Sequence, residues 1–389
     1  MDEISGIKIT PPSQTIKNGH FGLQYKDLLF QKNGFHVLDS ELLSKFSEFD
    51  DHNLAANVTD SKTGLDAYIS IHRGGYFNPA FGATRLWHYE DGREALEDSL
   101  RLSRLMSFKS ALADLKYGGA KGVIVCPAVK NGFDAKRPQI LKKYAEKINC
   151  LNGRFVTGTD VGLQQEDVRI MSEYSPYFVG NKVNPTEYTA KGLLLGINEC
   201  LKKAFGKGDI SGRSFAVQGV GKIGTALIKA LYPFAKTIYA ADIYPEKIKT
   251  LKASYPKVKM VSPSLIHQQK VDVFSPCAIG LILNNNSIKK IRSPIIAGGA
   301  NNQLADLDIG RKIHEIGIIY APDYVINAGG LISVADEYEN DNMDSQRINK
   351  RLNCIKDNMK NILETSERQN KPTNIVADEM ARSIFNQFK

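Results

Sequence analysis

Residues 214–242 read SFAVQGVGKIGTALIKALYPFAKTIYAAD, and the architecture of the chain is clearest in this stretch. The apolar strand SFAVQ leads straight into a glycine motif, Gly219, Gly221 and Gly224, inside which an apolar-periodic helix begins. A second strand, TIYAA, ends at Asp242. The glycines alone would be weak evidence, but a strand, a glycine turn, a helix and a second strand ending in an acid are typical of a dinucleotide-binding βαβ unit. The stretch therefore predicts the first half of a Rossmann-type domain.

The glycines and the start of the helix have separate physical tasks. Gly219 permits a tight turn, Gly221 lets the backbone approach a pyrophosphate, and Gly224 lets the helix pack closely on the sheet. The helix begins around Lys222 and Ile223, where unpaired backbone N–H groups attract an anion. These five residues are the expected pyrophosphate-binding residues. The alternative is a tight strand–helix turn that binds no ligand.

Asp242 bears on the identity of the cofactor. A carboxylate at the end of the second strand can accept hydrogen bonds from both hydroxyls of an adenine ribose. It would also repel a phosphate at the 2′ position, so we expect NAD rather than NADP. Lys247 and Lys249 follow closely along the chain, and their charges leave some tolerance of NADP open.

The pattern around this unit predicts an α/β protein of two domains, because 389 residues exceed the size of one ordinary core. Short strands alternate with helices over residues 181–337, which is typical of a parallel sheet and predicts the Rossmann-type NAD-binding domain. Residues 21–180, together with the polar tail 338–389, are the predicted substrate-binding and oligomerisation domain, and residues 1–20 are an N-terminal extension. A loop with two prolines at 176–190 is the expected hinge, with the active site in the cleft between the domains.

Composition disfavours several classes of protein. Hydrophobic residues make up 42% and charged residues 24%, as in ordinary globular proteins, and no apolar run approaches the roughly 18 residues of a membrane span. The five cysteines form no CxxC pair and the seven histidines no HExxH motif, so we expect a reducing cytoplasm, no disulfide framework and no metal. The net charge of +9 is spread along the whole chain, which disfavours nucleic-acid binding.

Two lysines and one aspartate are the candidate chemical residues. Lys109 lies near the end of a helix predicted over residues 94–115, and Lys121 follows a glycine pair in a turn expected before a strand. A lysine beside a buried apolar strand loses solvation, which lowers its pKa and suits it to act as a base near neutral pH. Asp160, in a glycine-flanked loop, could exchange protons with Lys121 or a substrate amine. Taken singly, such lysines are usually solvated surface charges and such aspartates turn residues.

Seven segments, in order, resemble the leucine/valine/phenylalanine branch of the Glu/Leu/Phe/Val amino-acid dehydrogenase superfamily, and leucine dehydrogenase most of all. They span most of residues 65–340 and read FGATRLWHY, MSFKSALADLKYGGAKGVIV, LNGRFVTGTDVG, AVQGVGKIG, SPCAIG, AGGANNQLAD and YAPDYVINAGGLISVADE. The resemblance implies oxidation of an amino acid by NAD, through hydride transfer from the α-carbon and hydrolysis of the iminium to a 2-oxo acid and ammonia. It also implies a homo-oligomer that associates through the first domain.

The resemblance also implies roles for individual residues. Lys109 matches the lysine that binds the substrate carboxylate, and Lys121 matches the catalytic lysine that polarises the carbonyl through a water molecule and activates that water. Asp160 matches the acid that carries protons to and from the amine. Gly82 lies in the family's turn against the substrate, and Asn302 where the family's asparagine contacts the cofactor or substrate near the nicotinamide. The residues expected to line the side-chain pocket are Phe81, Leu331 and Val334.

Departures from the family's motifs bear on the substrate. Ala120 and Ala83 stand where glycines are usual, and Gly158 and Thr159 replace alanine and glutamate of the TAEDVG pattern. Phe81 should narrow the side-chain pocket, whereas Gly158 should widen it. We expect a branched-chain substrate, leucine, valine or isoleucine. The alternative is phenylalanine or tryptophan, because GATRL and the TG-x-D loop also resemble members that act on aromatic amino acids.

Two other interpretations are open at this point. A 2-hydroxy-acid dehydrogenase normally uses a histidine as its acid–base group, and the lysine pair with Asp160 argues against it. A catalytically inactive NAD-binding or nucleic-acid-binding protein on the same scaffold would be favoured by loss of Lys121 or Asp160. Both residues are present.

Overall fold

The computed structural model describes residues 33–74, 78–127, 133–180, 182–278, 280–340 and 343–385. The predicted N-terminal extension, residues 1–20, lies outside the described residues. The described chain forms two six-stranded sheets covered by helices, which confirms the predicted two-domain α/β class. Within these ranges, no helix is both long and apolar enough to cross a membrane. The same ranges contain no group of three or more His, Cys, Asp or Glu side chains that could hold a metal ion.

The first sheet is mixed, with the strand order β1-β2-β3-β5-β4-β6. The pairs from β1 to β5 are antiparallel, whereas β4 runs parallel to both of its neighbours, β5 and β6. Parallel strands β4, β5 and β6 therefore bring their carboxyl ends to one edge of the sheet. The strands are β1 (Phe35–Val37), β2 (Leu54–Asp60), β3 (Leu65–Ile71), β4 (Ala80–Trp87), β5 (Gly118–Val125) and β6 (Phe155–Thr159).

The longest helix of the first domain packs against β3, β4 and β5. It begins after Asp91, whose carboxylate accepts the N–H of Glu94 at 2.8 Å and so satisfies an otherwise unpaired donor. It ends before the predicted residue 115, because Asp114 takes a left-handed φ of 54° and turns the chain towards β5. The helices of this domain are α1 (Ser40–Leu43), α2 (Gly92–Leu112), α3 (Phe133–Cys150) and α4 (Gln165–Ser172).

The second sheet is wholly parallel, with the order β12-β11-β10-β7-β8-β9. The predicted strands SFAVQ and TIYAA are β7 and β8. The order reverses between β7 and β10, and open α/β sheets bind ligands at the carboxyl ends of strands beside such a reversal. The strands are β7 (Ser214–Gln218), β8 (Thr237–Ala241), β9 (Lys259–Met260), β10 (Val273–Pro276), β11 (Ile295–Ile296) and β12 (Ile319–Tyr320).

The expected hinge at 176–190 is wrong at its carboxyl end, because a helix begins at Pro185. Proline suits a first helical turn, where its missing N–H would have no partner in any case. Asn184 caps the helix by accepting the N–H of Thr186 at 3.2 Å. The helices here are α5 (Pro185–Phe205), α6 (Lys222–Leu231), α7 (Pro245–Ser254), α8 (Leu307–Glu315), α9 (Asp323–Ile326) and α10 (Gly329–Glu339), with 3-10 turns at Ile266–Gln268 and Ile288–Lys290.

The C-terminal tail is helical, and its last helix contacts both halves of the molecule. At one end, the hydroxyl of Thr373 donates to the carbonyl of Tyr320 in β12 at 2.6 Å. At the other end, Arg382 pairs with Asp50 at 3.1 Å, and Phe385 stacks on Phe108 of α2 with ring centroids 5.5 Å apart. The tail consists of α11 (Ser345–Arg351), α12 (Asn353–Gln369) and α13 (Thr373–Phe385).

Candidate active site

Lys121 and Asp160 contact each other at the edge of the first sheet. Lys121 lies in β5 and Asp160 directly follows β6, the two strands on either side of β4. The ammonium nitrogen of Lys121 is 2.5 Å from Oδ2 of Asp160, and both side chains are largely buried. Burial lowers the pKa of Lys121, and Asp160 opposes that effect. Burial would raise the pKa of Asp160, but the charges of Lys121 and Arg85 outweigh it and hold that pKa well below its usual range.

Arg85 joins this pair to a second buried carboxylate. Its Nε donates to Oδ2 of Asp160 at 3.0 Å and its Nη1 to Oδ2 of Asp98 at 2.8 Å. Asp98 also accepts the hydroxyl of Tyr89 at 2.7 Å and pairs with Arg101. Arg85 was not among the candidate residues, although strand alternation places it on the same face of β4 as Ala83, the residue in register with Lys121.

Lys109, in the last turn of α2, reaches across to the second domain. Its ammonium donates to the side-chain oxygen of Asn301 at 3.2 Å, and the same oxygen accepts from Asn327 at 2.8 Å. Burial lowers the pKa of Lys109 to about 8, and the charge of Asp323 opposes that effect. The ammonium therefore lies between the two sheets, close to its proton-losing range, and is suited to pair with an anion that enters from solvent.

Asn302, the predicted contact to the cofactor or substrate, directly follows Asn301 in the loop between β11 and α8. Its backbone is left-handed, with a φ of 55°, and its carbonyl accepts the N–H of Leu281 at 2.7 Å. The neighbouring Asn301 is the residue whose side chain contacts Lys109. Two adjacent asparagines cannot be told apart by spacing alone, and the contact depends on tertiary proximity.

The three predicted pocket residues lie in one apolar cluster. Phe81 and Leu331 are buried in it and Val334 packs against it. Two tyrosines that the sequence did not single out lie against Phe81, with ring centroids at 4.3 Å for Tyr117 and 5.2 Å for Tyr338. This end of the site is therefore bounded by aromatic rings.

Gly82 lies inside β4, not in a turn. A Cβ at this position would lie 1.8 Å from the carbonyl oxygen of Ala120 and 3.2 Å from the ring of Phe155. The glycine is thus required by the close approach of β4 to β5.

The glycine pair before Lys121 is also part of a strand, because β5 already begins at Gly118. A Cβ on Gly118 would lie 1.7 Å from the carbonyl oxygen of Arg73, and one on Gly119 would lie 2.0 Å from the backbone nitrogen of Ser107. The expectation of a turn here is wrong. Glycine is needed at these positions because neighbouring backbone packs too closely for a Cβ, and not because the chain reverses.

The glycine motif of the second domain forms an open cradle. Gly219 has a φ of 90° and its N–H donates to the carbonyl of Ala241 at 2.8 Å. Helix α6 starts at Lys222 after Gly221, which supplies no side-chain cap. A Cβ on Gly221 would meet nothing within 4 Å, whereas one on Gly224 would lie 1.9 Å from the carbonyl oxygen of Gly219. An uncapped helix start facing open space fits the pyrophosphate of a dinucleotide.

Asp242 stands at the end of β8, beside the cradle. Its carboxylate accepts the N–H of Val220 at 2.8 Å and that of Tyr244 at 3.0 Å, so it also fixes the loop. The cradle is linked to the lysine site by the segment after β11. A Cβ on Gly299 would lie 2.4 Å from the side chain of Ile223, and Asn301, two residues later, contacts Lys109.

Substitutions at the second and third glycines of the motif should separate packing from ligand binding. Gly224→Ala should lower the free energy of unfolding by about 1–3 kcal/mol, because overpacking forces α6 away from the turn. Gly221→Ala, at a φ of −70° and in open space, should change it by less than about 0.5 kcal/mol. Urea unfolding of the ligand-free protein, followed by circular dichroism, measures both. Equal stabilities for the two variants would show that α6 does not depend on close packing at Gly224.

The chain is similar to known proteins in sequence and in structure. The family profile described as Glu/Leu/Phe/Val dehydrogenase, dimerisation domain, matches residues 52–176. The profile described as Glutamate/Leucine/Phenylalanine/Valine dehydrogenase matches residues 238–384. Together they include Lys109, Lys121, Asp160 and Asp242.

Individual relatives match over most of their length. Leucine dehydrogenase of Bacillus subtilis (strain 168) is 37% identical over 353 residues, covering 89% of this chain and 95% of that protein. Phenylalanine dehydrogenase of Bacillus thermotolerans is 38% identical over 309 residues, covering 77% and 79%. The crystal structure of L-tryptophan dehydrogenase from Nostoc punctiforme superposes with a TM-score of 0.71 at 34% identity, covering 86% of this chain and 96% of that one. The chain therefore belongs to the glutamate/leucine/phenylalanine/valine dehydrogenase family, as its motifs predict.

Proposed function

We propose that this protein is an NAD-dependent amino-acid dehydrogenase that converts an apolar L-amino acid to its 2-oxo acid and ammonia, reversibly. The observation that carries the proposal is the contact of buried Lys121 with Asp160, in one site with a second buried lysine, Lys109. Membership of a family whose relatives include leucine, phenylalanine and tryptophan dehydrogenases supports the reaction class.

Lys109 binds the substrate in this proposal. Its ammonium pairs with the α-carboxylate, and Asn301 and Asn327 hold it in place through the shared side-chain oxygen. A charge-assisted hydrogen bond in a buried site fixes the α-carbon at a defined place. The aromatic and aliphatic cluster around Phe81 then receives the substrate side chain.

Asp160 and Lys121 move the protons. Asp160 takes a proton from the substrate ammonium, which frees the amine lone pair, and hydride then leaves the α-carbon. Water adds to the carbon of the resulting iminium while Lys121 accepts a proton from that water. The carbinolamine then collapses to the 2-oxo acid: Asp160 returns its proton to the leaving nitrogen, the hydroxyl proton passes to the released ammonia, which leaves as ammonium, and Lys121 returns its proton to solvent. Burial of both side chains keeps other water from these steps.

The glycine cradle would hold the cofactor, with Gly221 and the start of α6 on the pyrophosphate and Asp242 on the adenine ribose. A bound nicotinamide dinucleotide supplies the hydride acceptor. The cradle residues fit that group because Gly221 faces open space and helix α6 lacks a side-chain cap. We therefore expect Gly221→Ala to weaken NAD binding while leaving the fold intact.

A branched-chain substrate is our first choice, because Phe81 with its two tyrosine neighbours fills much of the pocket end. An aromatic substrate is the second candidate. The same rings could stack against an aromatic side chain, and the Nostoc punctiforme tryptophan dehydrogenase shares the fold over 86% of this chain.

The first experiment is NADH formation by the purified protein with leucine, valine, isoleucine, phenylalanine, tryptophan and glutamate. Turnover of one apolar amino acid supports the proposal and identifies the substrate. No turnover of any of them, with NAD binding intact, contradicts it. A DNA-binding assay at several salt concentrations covers the remaining class of function, since tight binding that falls steeply with salt would indicate a nucleic-acid-binding protein.

Coenzyme choice should depend on Asp242. We expect the wild type to prefer NAD, and Asp242→Ser to lower the NAD to NADP ratio of kcat/KM by about tenfold or more. Hydrogen bonds to a charged acceptor contribute about 1.5–3 kcal/mol, and serine removes both the charge and the repulsion of a 2′-phosphate. The ratio is measured from initial rates with each coenzyme. Lys249→Ala is the matched control on exposed α7 and should leave the ratio unchanged. If kcat/KM with NADP falls in Lys249→Ala, the lysines after Asp242 contribute to the binding of NADP.

We also propose that the protein forms a homo-oligomer through its first domain. The profile that matches residues 52–176 is described as a dimerisation domain. Light scattering coupled to size-exclusion chromatography measures the state directly, and a monomer at micromolar concentration would contradict the proposal.

A further inference from the structure

The contacts of Arg85 indicate a role beyond the three residues to which the proposed function assigns chemistry. Its Nε and the ammonium of Lys121 contact the same oxygen of Asp160, at 3.0 Å and 2.5 Å. Its other end, Nη1, is 2.8 Å from Asp98. The planar guanidinium is therefore held at both ends, and a rigid fork of this kind fixes the carboxylate that it contacts.

The second carboxylate is itself fixed. Asp98 lies in the second turn of α2 and is 6% exposed, and it accepts the hydroxyl of Tyr89 at 2.7 Å. Arg101, one turn further along the same helix, pairs with its other oxygen. Asp98 therefore anchors Arg85 to the helix that covers the sheet, and the position of Asp160 relative to Lys121 is tied to that helix.

The charges around Lys121 make the same point. Arginine stays protonated throughout the working pH range. Arg85 thus cancels the negative charge of Asp160 beside Lys121. The buried ammonium of Lys121 therefore does not have the whole charge of that carboxylate to stabilise it. Without Arg85, Lys121 would face the full charge of Asp160 and would be held in its protonated form. Burial lowers the pKa of Lys121, the charge of Asp160 raises it, and the charge of Arg85 lowers it further.

We propose that Arg85 is a positioning residue for the reaction, which orients the Asp160 carboxylate and cancels its charge so that Lys121 can give up its proton. The inference rests on the proposed function for its catalytic consequence. Its structural part, the effect of Arg85 on Lys121, can be measured without any substrate.

The test uses the full-length protein and four variants. Arg85→Met removes the charge and the contacts, whereas Arg85→Lys keeps the charge but loses the fork. Arg104→Met is the matched control, because Arg104 lies on α2, the helix that carries Asp98, in a partly buried pair with Glu48 at 2.8 Å and not with Asp160. The double variant Arg85→Met/Asp98→Asn removes the charges of both members of the Arg85–Asp98 pair, so Asp98 does not remain a buried carboxylate without Arg85. It is used in place of Arg85→Met if that variant does not fold.

Two quantities are measured for each protein. One is the pH of half-maximal acetylation of Lys121 by acetic anhydride, read by peptide mass spectrometry. The other is the pH of the ascending limb of kcat/KM for the amino acid found in the substrate panel. The acetylation pH reports the protonation of Lys121 directly. The pH dependence of kcat/KM reports the pKa of the essential base in the enzyme before substrate binds.

We expect Arg85→Met to move both pH values upward by at least about one unit, since a neighbouring charge ordinarily shifts a pKa by about 1–3 units. Arg85→Lys should keep the acetylation pH close to the wild type while lowering kcat, because an ammonium cannot hold both carboxylates. Arg104→Met should move neither. The double variant should show the same upward shift as Arg85→Met.

An unchanged acetylation pH in Arg85→Met, or in the double variant, would overturn the proposal and leave Arg85 as a cross-link between β4 and α2. An equal shift in Arg104→Met would do the same, because the effect would then not be local. If the wild type oxidises none of the amino acids, the proposed function fails, and the acetylation experiment still decides the role of Arg85.

Discussion

Lys121→Ala lowers kcat for amino-acid oxidation by about 10³-fold, the middle of the range for loss of a general acid–base group. Lys121 is the only one of the three predicted chemical residues that lies within a strand, and its ammonium is 2.5 Å from Asp160. Alanine leaves water near the iminium without a base, and it leaves Asp160 paired with Arg85 alone. The measurement is the initial rate of NADH formation at saturating substrate, with NAD affinity determined separately by calorimetry.

Lys116→Ala is the control for this loss. Lys116 is exposed and lies in the connection that leads into β5, so its removal changes the local charge without touching the buried site. We expect its kcat to stay within twofold of the wild type. A Lys121→Ala protein that binds NAD and keeps more than about a tenth of the wild-type rate would refute the assignment of Lys121 as the base.

Lys109→Met acts on substrate affinity instead. A charge-assisted hydrogen bond contributes about 1.5–3 kcal/mol, so kcat/KM should fall by about 10- to 150-fold. Burial lowers the pKa of Lys109 to about 8. The wild-type enzyme should therefore bind the substrate carboxylate tightly at pH values below 8, and its affinity for the substrate should fall above pH 8 as the ammonium loses its proton. The variant should lack this dependence. Both effects are read from kcat/KM measured as a function of pH.

The substrate itself provides the control for Lys109. An amino-acid amide, such as leucinamide if leucine is the substrate, has no carboxylate to pair with the ammonium. The wild type should discriminate against the amide, and Lys109→Met should lose most of that discrimination. Equal discrimination in both proteins would mean that another group binds the carboxylate.

The sequence predicted the motif residues of the site better than the residues that contact them. The βαβ unit from Ser214 to Asp242 was recognisable because its strand, turn, helix and acid follow one another directly. Lys121 and Asp160 were assigned through motifs, and the structure brings them into contact. By contrast, Lys109 and Asn301 are 192 positions apart, and no local pattern joins them.

The local structure around glycines was predicted least well from the sequence. A glycine pair before Lys121 suggests a turn, yet both residues lie in β5 because neighbouring backbone leaves no room for a Cβ. Arg85 could have been found by reading β4 with a period of two, since it shares a face with Phe81 and Ala83. Its partner Asp98 could not, because helix position alone does not show which strand the helix covers.

The last helix, α13, has a consequence for the order in which the molecule is made. Its residues leave the ribosome after both sheets, yet Thr373 holds β12 and Arg382 holds Asp50 beside the first sheet. This fastening between the halves becomes available only after residues 373–382 have been synthesised. The contacts of α13 with β12 and with Asp50 are thus the last of the described contacts between the halves to become possible during synthesis.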